Sequence, residues 1–287
     1  MSFYKISYKQ IRQSPELADM LAALERGFEQ FGIDFYLIGA VARDVWMRGI
    51  HDTPPKRTTG DIDFAVLINK KGEYEALRDY LIDTEGFHPS KENAFVLIWK
   101  NGQEVDLMPF GRIEQGGRIK VQGTGLTTLH VSGFTEVYQA GLPEVELGSR
   151  YKFKFCTIPG LVLLKLIAWN DRPENRRSDI QDISEILVHY FGMFTEHIFE
   201  HHNDLFGDED EDLISIAAQA IGREIGHIAN RDNALKALLL QIVQENTASA
   251  ATSRIAAIMA STLQNTVEAN IILLQKMLKG IEETTTA

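Results

Sequence analysis

The sequence predicts a mixed α/β domain over residues 1–157 followed by an all-α domain over residues 158–287. Two observations carry this. Before Cys156, short β-branched and aromatic runs alternate with helical stretches and glycine-dotted turns. After Pro159 the chain reads as helices nearly to its end. Alternating elements followed by helices alone indicate two packed bodies. A length of 287 residues suffices for two modest domains.

Each element has a local reason. Ser14-Pro15-Glu16 supplies an N-cap and a first-turn proline, and Leu17, Met20, Leu21, Leu24 and Phe28 recur at helical spacing until Gly32. Phe35 to Ile38 reads as a strand that breaks at Gly39, and a helix follows from Val41 to Met47. Residues 51–60 have loop composition. Ile62 to Ile68 is a strand and Glu73 to Ile82 a helix. Phe95 to Lys100 and Gln103 to Met108 form a hairpin around Asn101-Gly102, the strongest short hairpin signal. From Ile113 to Cys156 the chain is strand-like, with no long helix. The later helices are read at 160–170, 177–190, 213–227, 233–245 and 253–280. The last is taken as one long packing helix, whose length also permits a dimer or partner interface. The Thr284–Thr286 tail is expected to fray.

Composition excludes several classes. The hydrophobic share of 44% and charged share of 24% are ordinary for a globular protein. No apolar run is long enough to span a bilayer, and the start lacks the layout of a signal peptide. A lone Cys156 allows no intrachain disulfide, so a cytoplasmic setting is expected. A net charge of −11 argues against broad, unspecific nucleic-acid binding.

The most informative constellation is acidic. On the 62–68 strand, alternate side chains share a face, so Asp61 and Asp63 project opposite Ile62 and Phe64. Asp106 lies between Val105 and Leu107 on another strand and projects the same way. Should the strands be adjacent, three carboxylates converge. Two anions about 4 Å apart repel by roughly 4 kcal/mol at an effective dielectric of 20. A bound cation is the usual reason to keep such a cluster, and oxygen-only ligands suit Mg²⁺ or Mn²⁺. Earlier in the chain a strand ends at Gly39 and a helix begins at once, an arrangement that favours an anion such as phosphate. Arg43 lies one turn on and could fork onto a phosphate. On Gly39 alone a plain turn is the simpler reading. Beside the acidic strands the set is a phosphoryl-transfer layout, with two metals roughly 3.5–4 Å apart bridging the carboxylates and a triphosphate.

Gly39-Ala40 with Arg43, Asp61-Ile62-Asp63-Phe64 and Val105-Asp106-Leu107-Met108-Pro109-Phe110-Gly111 resemble the motifs of the DNA polymerase β-like nucleotidyltransferase superfamily. The chain is most similar to its AbiEii/AbiGii toxin group, bacterial proteins often paired with an antitoxin. The resemblance covers roughly residues 30 to 190. It implies a mixed-sheet catalytic domain, a helical domain behind it, and divalent-metal-dependent nucleotidyl transfer from a nucleoside triphosphate. Asp61, Asp63 and Asp106 would hold the metal; Gly39, Ala40 and Arg43 would contact the nucleotide. Ala40 departs from the superfamily's Gly-Gly or Gly-Ser. Lys56 and Arg57, in the following loop, could reach phosphates or be plain solvated charges.

The helical part carries a second resemblance. Lys165 among apolar neighbours, then Ser178-Asp179 with Asp182 trailing, is similar to the toxin group's later motif, although Ser178 stands where that group has lysine. The resemblance implies that Lys165 meets the triphosphate and Asp179 orients it or a base; it leaves Asp182 undecided. From the residues alone, Lys165 snorkels and Asp179 caps a helix. His197, His201 and His202 admit a metal site, but a solvated helix end is the simpler reading. The acidic run 208–212 is an exposed turn whose last residue favours the next helix's N-terminus. Trp99 is read as core and Cys156 as a small buried hydrophobe.

The expected activity is therefore nucleotidyl transfer to a tRNA or other RNA end, a protein hydroxyl or a small molecule, with an antitoxin as a possible partner. The alternatives are a non-catalytic nucleotide-sensing or partner-binding module on the same fold, and a phosphatase or nuclease using the same carboxylates.

Overall fold

A computed structural model describes residues 2–11, 17–53, 60–70, 72–207 and 212–284. The chain divides into two compact units, Met1–Thr157 and Ile158–Ala287. The first is mixed α/β and is built on an eight-stranded sheet.

Its strands are β1 (Phe3–Ile6), β2 (Phe35–Ile38), β3 (Ile62–Leu67), β4 (His88–Pro89), β5 (Val96–Ile98), β6 (Glu104–Phe110), β9 (Glu144–Leu147) and β10 (Tyr151–Phe155), with β7 (Arg118–Lys120) and β8 (Thr128–His130) forming a separate hairpin. The order across the sheet is β1-β9-β10-β2-β3-β6-β5-β4. The central neighbours alternate in sense: β2 runs antiparallel to β3, and β3 parallel to β6. The Asn101-Gly102 hairpin joins β5 and β6 antiparallel, with Gly102 at φ +87°.

Both faces are covered. Helix α1 (Leu17–Phe31) presses Phe28 onto Phe35 and Phe64, with ring centroids 4.2 and 6.2 Å apart. Helix α3 (Glu73–Asp83) packs on α1, and the Tyr74 hydroxyl donates to the Leu107 carbonyl at 2.7 Å. Tyr36 donates to the Phe134 carbonyl, the first residue of the short α4 (Phe134–Gln139), at 2.9 Å. Such aromatic packing contributes to the apolar area removed from water here, beside many buried Leu, Ile and Val side chains. Helix α2 (Gly39–Asp44) starts directly at Gly39 and passes into a π-helical turn over Val45–Ile50, where a helix from Val41 was expected. The capping residues 14–16 and the loop residues 54–59 lie outside the described residues.

The second unit contains α5 (Ile158–Asp171), α6 (Arg177–Met193), α7 (Thr195–His201), α8 (Leu213–Ala229), α9 (Asn233–Glu245), α10 (Arg254–Leu263) and α11 (Val267–Glu283). Asp212, Asp232, Ser253 and Thr266 each accept a first-turn N–H and cap α8, α9, α10 and α11. The single closing helix expected over 253–280 is instead two helices. Gln264 takes the left-handed conformation at φ +56°, and Thr266 starts α11 afresh. Helices α8 and α11 approach until a Cβ at Gly222 would lie 3.0 Å from the Met277 carbonyl carbon. Among the described residues, no helix is long and apolar enough to cross a membrane.

Candidate active site

Sheet register builds the acidic cluster. Asp63 pairs with Asp106 across the parallel β3–β6 ladder and with Ile38 across β2–β3. Asp61 precedes β3 by one residue and shares the face of Asp63. Their apolar neighbours Ile62, Phe64, Val105 and Leu107 are at most 1% exposed, so the hydrophobic alternation turns all three acids the other way. Carboxylate oxygens from Asp61, Asp63 and Asp106 lie within 4.8 Å of one another, and all three residues are half-buried. An octahedral ion with bonds of 2.0–2.1 Å separates its ligand oxygens by about 3–4 Å. The donor set therefore fits a hard divalent cation. Burial raises the Tyr74 phenol above its ordinary value, and the Asp106 charge adds to the shift. A cavity of about 380 Å³ is lined by Gly60, Asn101, Gly102, Gln103 and Glu104, the residues that lead into β3 and β6.

Gly39 touches this cluster. It sits at φ +66°, and a Cβ there would lie 2.7 Å from Asp63 Cγ and nearer still to Oδ2. Only glycine fits both the backbone angle and the gap. The glycine bend and the acidic strand thus form one piece of structure, and Ala40 behind it is 7% exposed.

Arg43 is not where the sequence reading put it. Its side chain is fully buried and donates to Asp44 Oδ1 from Nε at 2.9 Å and Nη2 at 2.7 Å. A guanidinium buried against its neighbour's carboxylate has no open fork for a phosphate. Lys56 and Arg57 lie outside the described residues.

In the helical unit, Lys165 on α5 is also buried. Its ammonium donates to Asp179 Oδ1 at 2.9 Å and Asp182 Oδ2 at 2.7 Å, both on α6. Burial pulls its pKa down, but attraction to the two carboxylates outweighs this and raises it. Arg176 Nη1 lies 3.9 Å from Asp179 Oδ2. Lys165 therefore neither snorkels nor stands as a cation open to a triphosphate. Asp179 is not the cap of α6 but one arm of this triad, and Asp182, left undecided from sequence, is the other. Ser178 is half-buried in the first turn of α6.

The sequence reading named His197 and His202 but preferred a solvated helix end, and it missed Glu224. His202 is 3% exposed, not at a solvated helix end, and faces Glu224 of α8 together with His197. Spacing gave no signal for a partner on α8.

No family model matches the chain, and no curated protein matches it. One similar solved structure is that of the antibiotic-resistance factor ANT(2'')-Ia in solution, 12% identical, covering 66% of this chain and 100% of that chain, with a TM-score of 0.32. A likeness at that level leaves the assignment to the geometry of the site itself.

Proposed function

We propose that the protein is a divalent-metal-dependent nucleotidyltransferase. One observation carries the reading: Asp61, Asp63 and Asp106 converge on one sheet face with the Gly39 backbone against the Asp63 carboxylate. Asp61, Asp63 and Asp106 would hold Mg²⁺ or Mn²⁺, which supplies charge neutralisation for a triphosphate and lowers the pKa of an attacking hydroxyl. Gly39, lacking a side chain, lets the Asp63 carboxylate lie against the backbone, which holds that metal-ligand candidate in place. The acceptor oxygen would bond to the α-phosphorus as the bond to the β-phosphate oxygen breaks, releasing pyrophosphate. The acceptor would be an RNA end such as that of tRNA, a protein hydroxyl or a small molecule. A role as the toxin of a toxin–antitoxin pair, as in the AbiEii/AbiGii group, is the finer form of the same reading.

The test incubates the protein with each α-labelled triphosphate, Mg²⁺ or Mn²⁺, and RNA or lysate. Label transfer that disappears in Asp63→Asn supports the proposal, provided the variant melts no lower than the parent. The variant removes one of three mutually repelling charges, so its fold should be as stable or more so. Phosphate release without transfer would instead indicate a phosphatase or nuclease.

A second reading has a specific observation behind it. With Arg43 and Lys165 both bonded to carboxylates, two expected phosphate contacts are already engaged. That favours the partner-binding form of a non-catalytic module, for which neither label transfer nor tight triphosphate binding is observed.

A further inference from the structure

We propose that His197, His202 and Glu224 form a second metal site, in the helical unit, that takes a borderline transition-metal ion such as Zn²⁺. His197 belongs to α7, His202 follows its last turn, and Glu224 lies mid-way along α8. Both imidazole Nε2 atoms converge on Glu224 Oε1, at 3.3 Å from His197 and 3.1 Å from His202. Ligands held about 2.0–2.1 Å from zinc in a tetrahedron stand about 3.3–3.4 Å from one another. The two imidazole–carboxylate edges are close to that spacing, and all three donor atoms lie within 4.8 Å of one another. Two imidazoles and one carboxylate form a nitrogen-rich donor set that suits zinc better than Mg²⁺. This chemistry differs from the all-oxygen set on the sheet.

The surroundings favour a cation. The adjacent Arg223 is neutralised, with Nη1 and Nη2 on Asp204 at 2.7 and 2.6 Å and Nε on Glu283 at 2.6 Å. His202 Nδ1 is buried and makes no hydrogen bond among the described residues. The Nε2 of the same ring is the atom turned toward Glu224 and the proposed ion. The His197 side chain is 40% exposed, which gives the ion an entry path and leaves its fourth position to water. Of the seven residues of α7, only Ile198 is buried. A metal bridge to α8 would thus clip α7 in place.

The experiment uses the full chain carrying Asp63→Asn, so that the sheet cluster does not compete. After EDTA and dialysis, Zn²⁺ is titrated calorimetrically and Co²⁺ is followed by visible absorption. The expected result is one equivalent of zinc, tetrahedral-type Co²⁺ bands and a melting temperature raised by zinc and reset by EDTA. Glu224→Gln and His197→Ala should each weaken zinc binding at least about tenfold. Both sites are partly exposed, so these variants should stay folded as judged by circular dichroism, whereas His202→Ala, in the interior, is the less safe choice. No stoichiometric binding in the Asp63→Asn chain, or unchanged affinity in folded Glu224→Gln, overturns the proposal. In that outcome the histidines are hydrogen-bond partners of Glu224 and nothing more.

Discussion

At the scale of single residues, position 39 ties the backbone to the acidic cluster. Gly39→Ala forces a non-glycine residue to φ +66° and drives its Cβ into the Asp63 carboxylate. The backbone cost alone is about 1–2 kcal/mol. The expected result is a lower denaturation midpoint together with loss of label transfer, because Asp63 must move. Lys165 gives a second test. Lys165→Met would leave Asp179 and Asp182 as buried like charges without their shared cation. Removing one partner of a buried pair costs about 3–5 kcal/mol. Urea unfolding should show a loss of that order. Adding Asp179→Asn and Asp182→Asn to the same chain should recover most of it. If Lys165→Met is neutral, the triad does not hold α5 to α6.

Among elements, much was legible in advance and some was hidden. Strands β2 and β3 and the β5–β6 hairpin announce themselves through aromatic and β-branched runs and the Asn101-Gly102 turn. The two-residue β4 is too short to signal anything, and β1 pairs only with the distant β9, a partnership no local pattern shows. The break between α10 and α11 was hidden because Gln264, not glycine, takes the left-handed position. The alternation that points Asp61, Asp63 and Asp106 outward could be read from sequence. That β3 and β6 are neighbours could not, since it depends on pairing between distant segments. The fate of Lys165 was equally opaque, because Asp179 and Asp182 become its partners only once α5 and α6 pack, and for Arg43 the hidden fact was the burial of its pair with the adjacent Asp44. The contact of α1 with the end of α3 offers a pH test. Arg26 holds the Glu85 carboxyl below its ordinary value, against the opposing effect of burial and with help from Tyr80. A depressed carboxyl stabilises the fold above its unfolded-state pKa and loses that contribution as pH falls through the folded value. In urea melts, Glu85→Gln should be less stable than the parent at pH 7, and the gap should close in acid. A gap of undiminished size after the parent's Glu85 carboxyl has been protonated would assign the effect to packing.

For the whole molecule, the charge balance is the governing quantity. A net charge of −11 repels a polyanion, so any RNA substrate must be held locally. Gel-shift titration with mixed-sequence RNA at physiological salt should show binding no tighter than the unspecific range, about 10⁻⁴ to 10⁻⁶ M. Tight, sequence-blind binding would point instead to a broad basic face, which an acidic chain of this composition does not supply.

The pairing of Asp63 with Asp106 has one more consequence. Side chains on a strand change sides at every step, so sliding β6 along β3 by a single residue would bring Val105 or Leu107 out beside Asp63 and press a charge into the apolar layer. A mis-threaded chain would then be unstable and inert through the same error. Selection for a sound interior would protect the geometry of the acidic cluster without having to act on it directly.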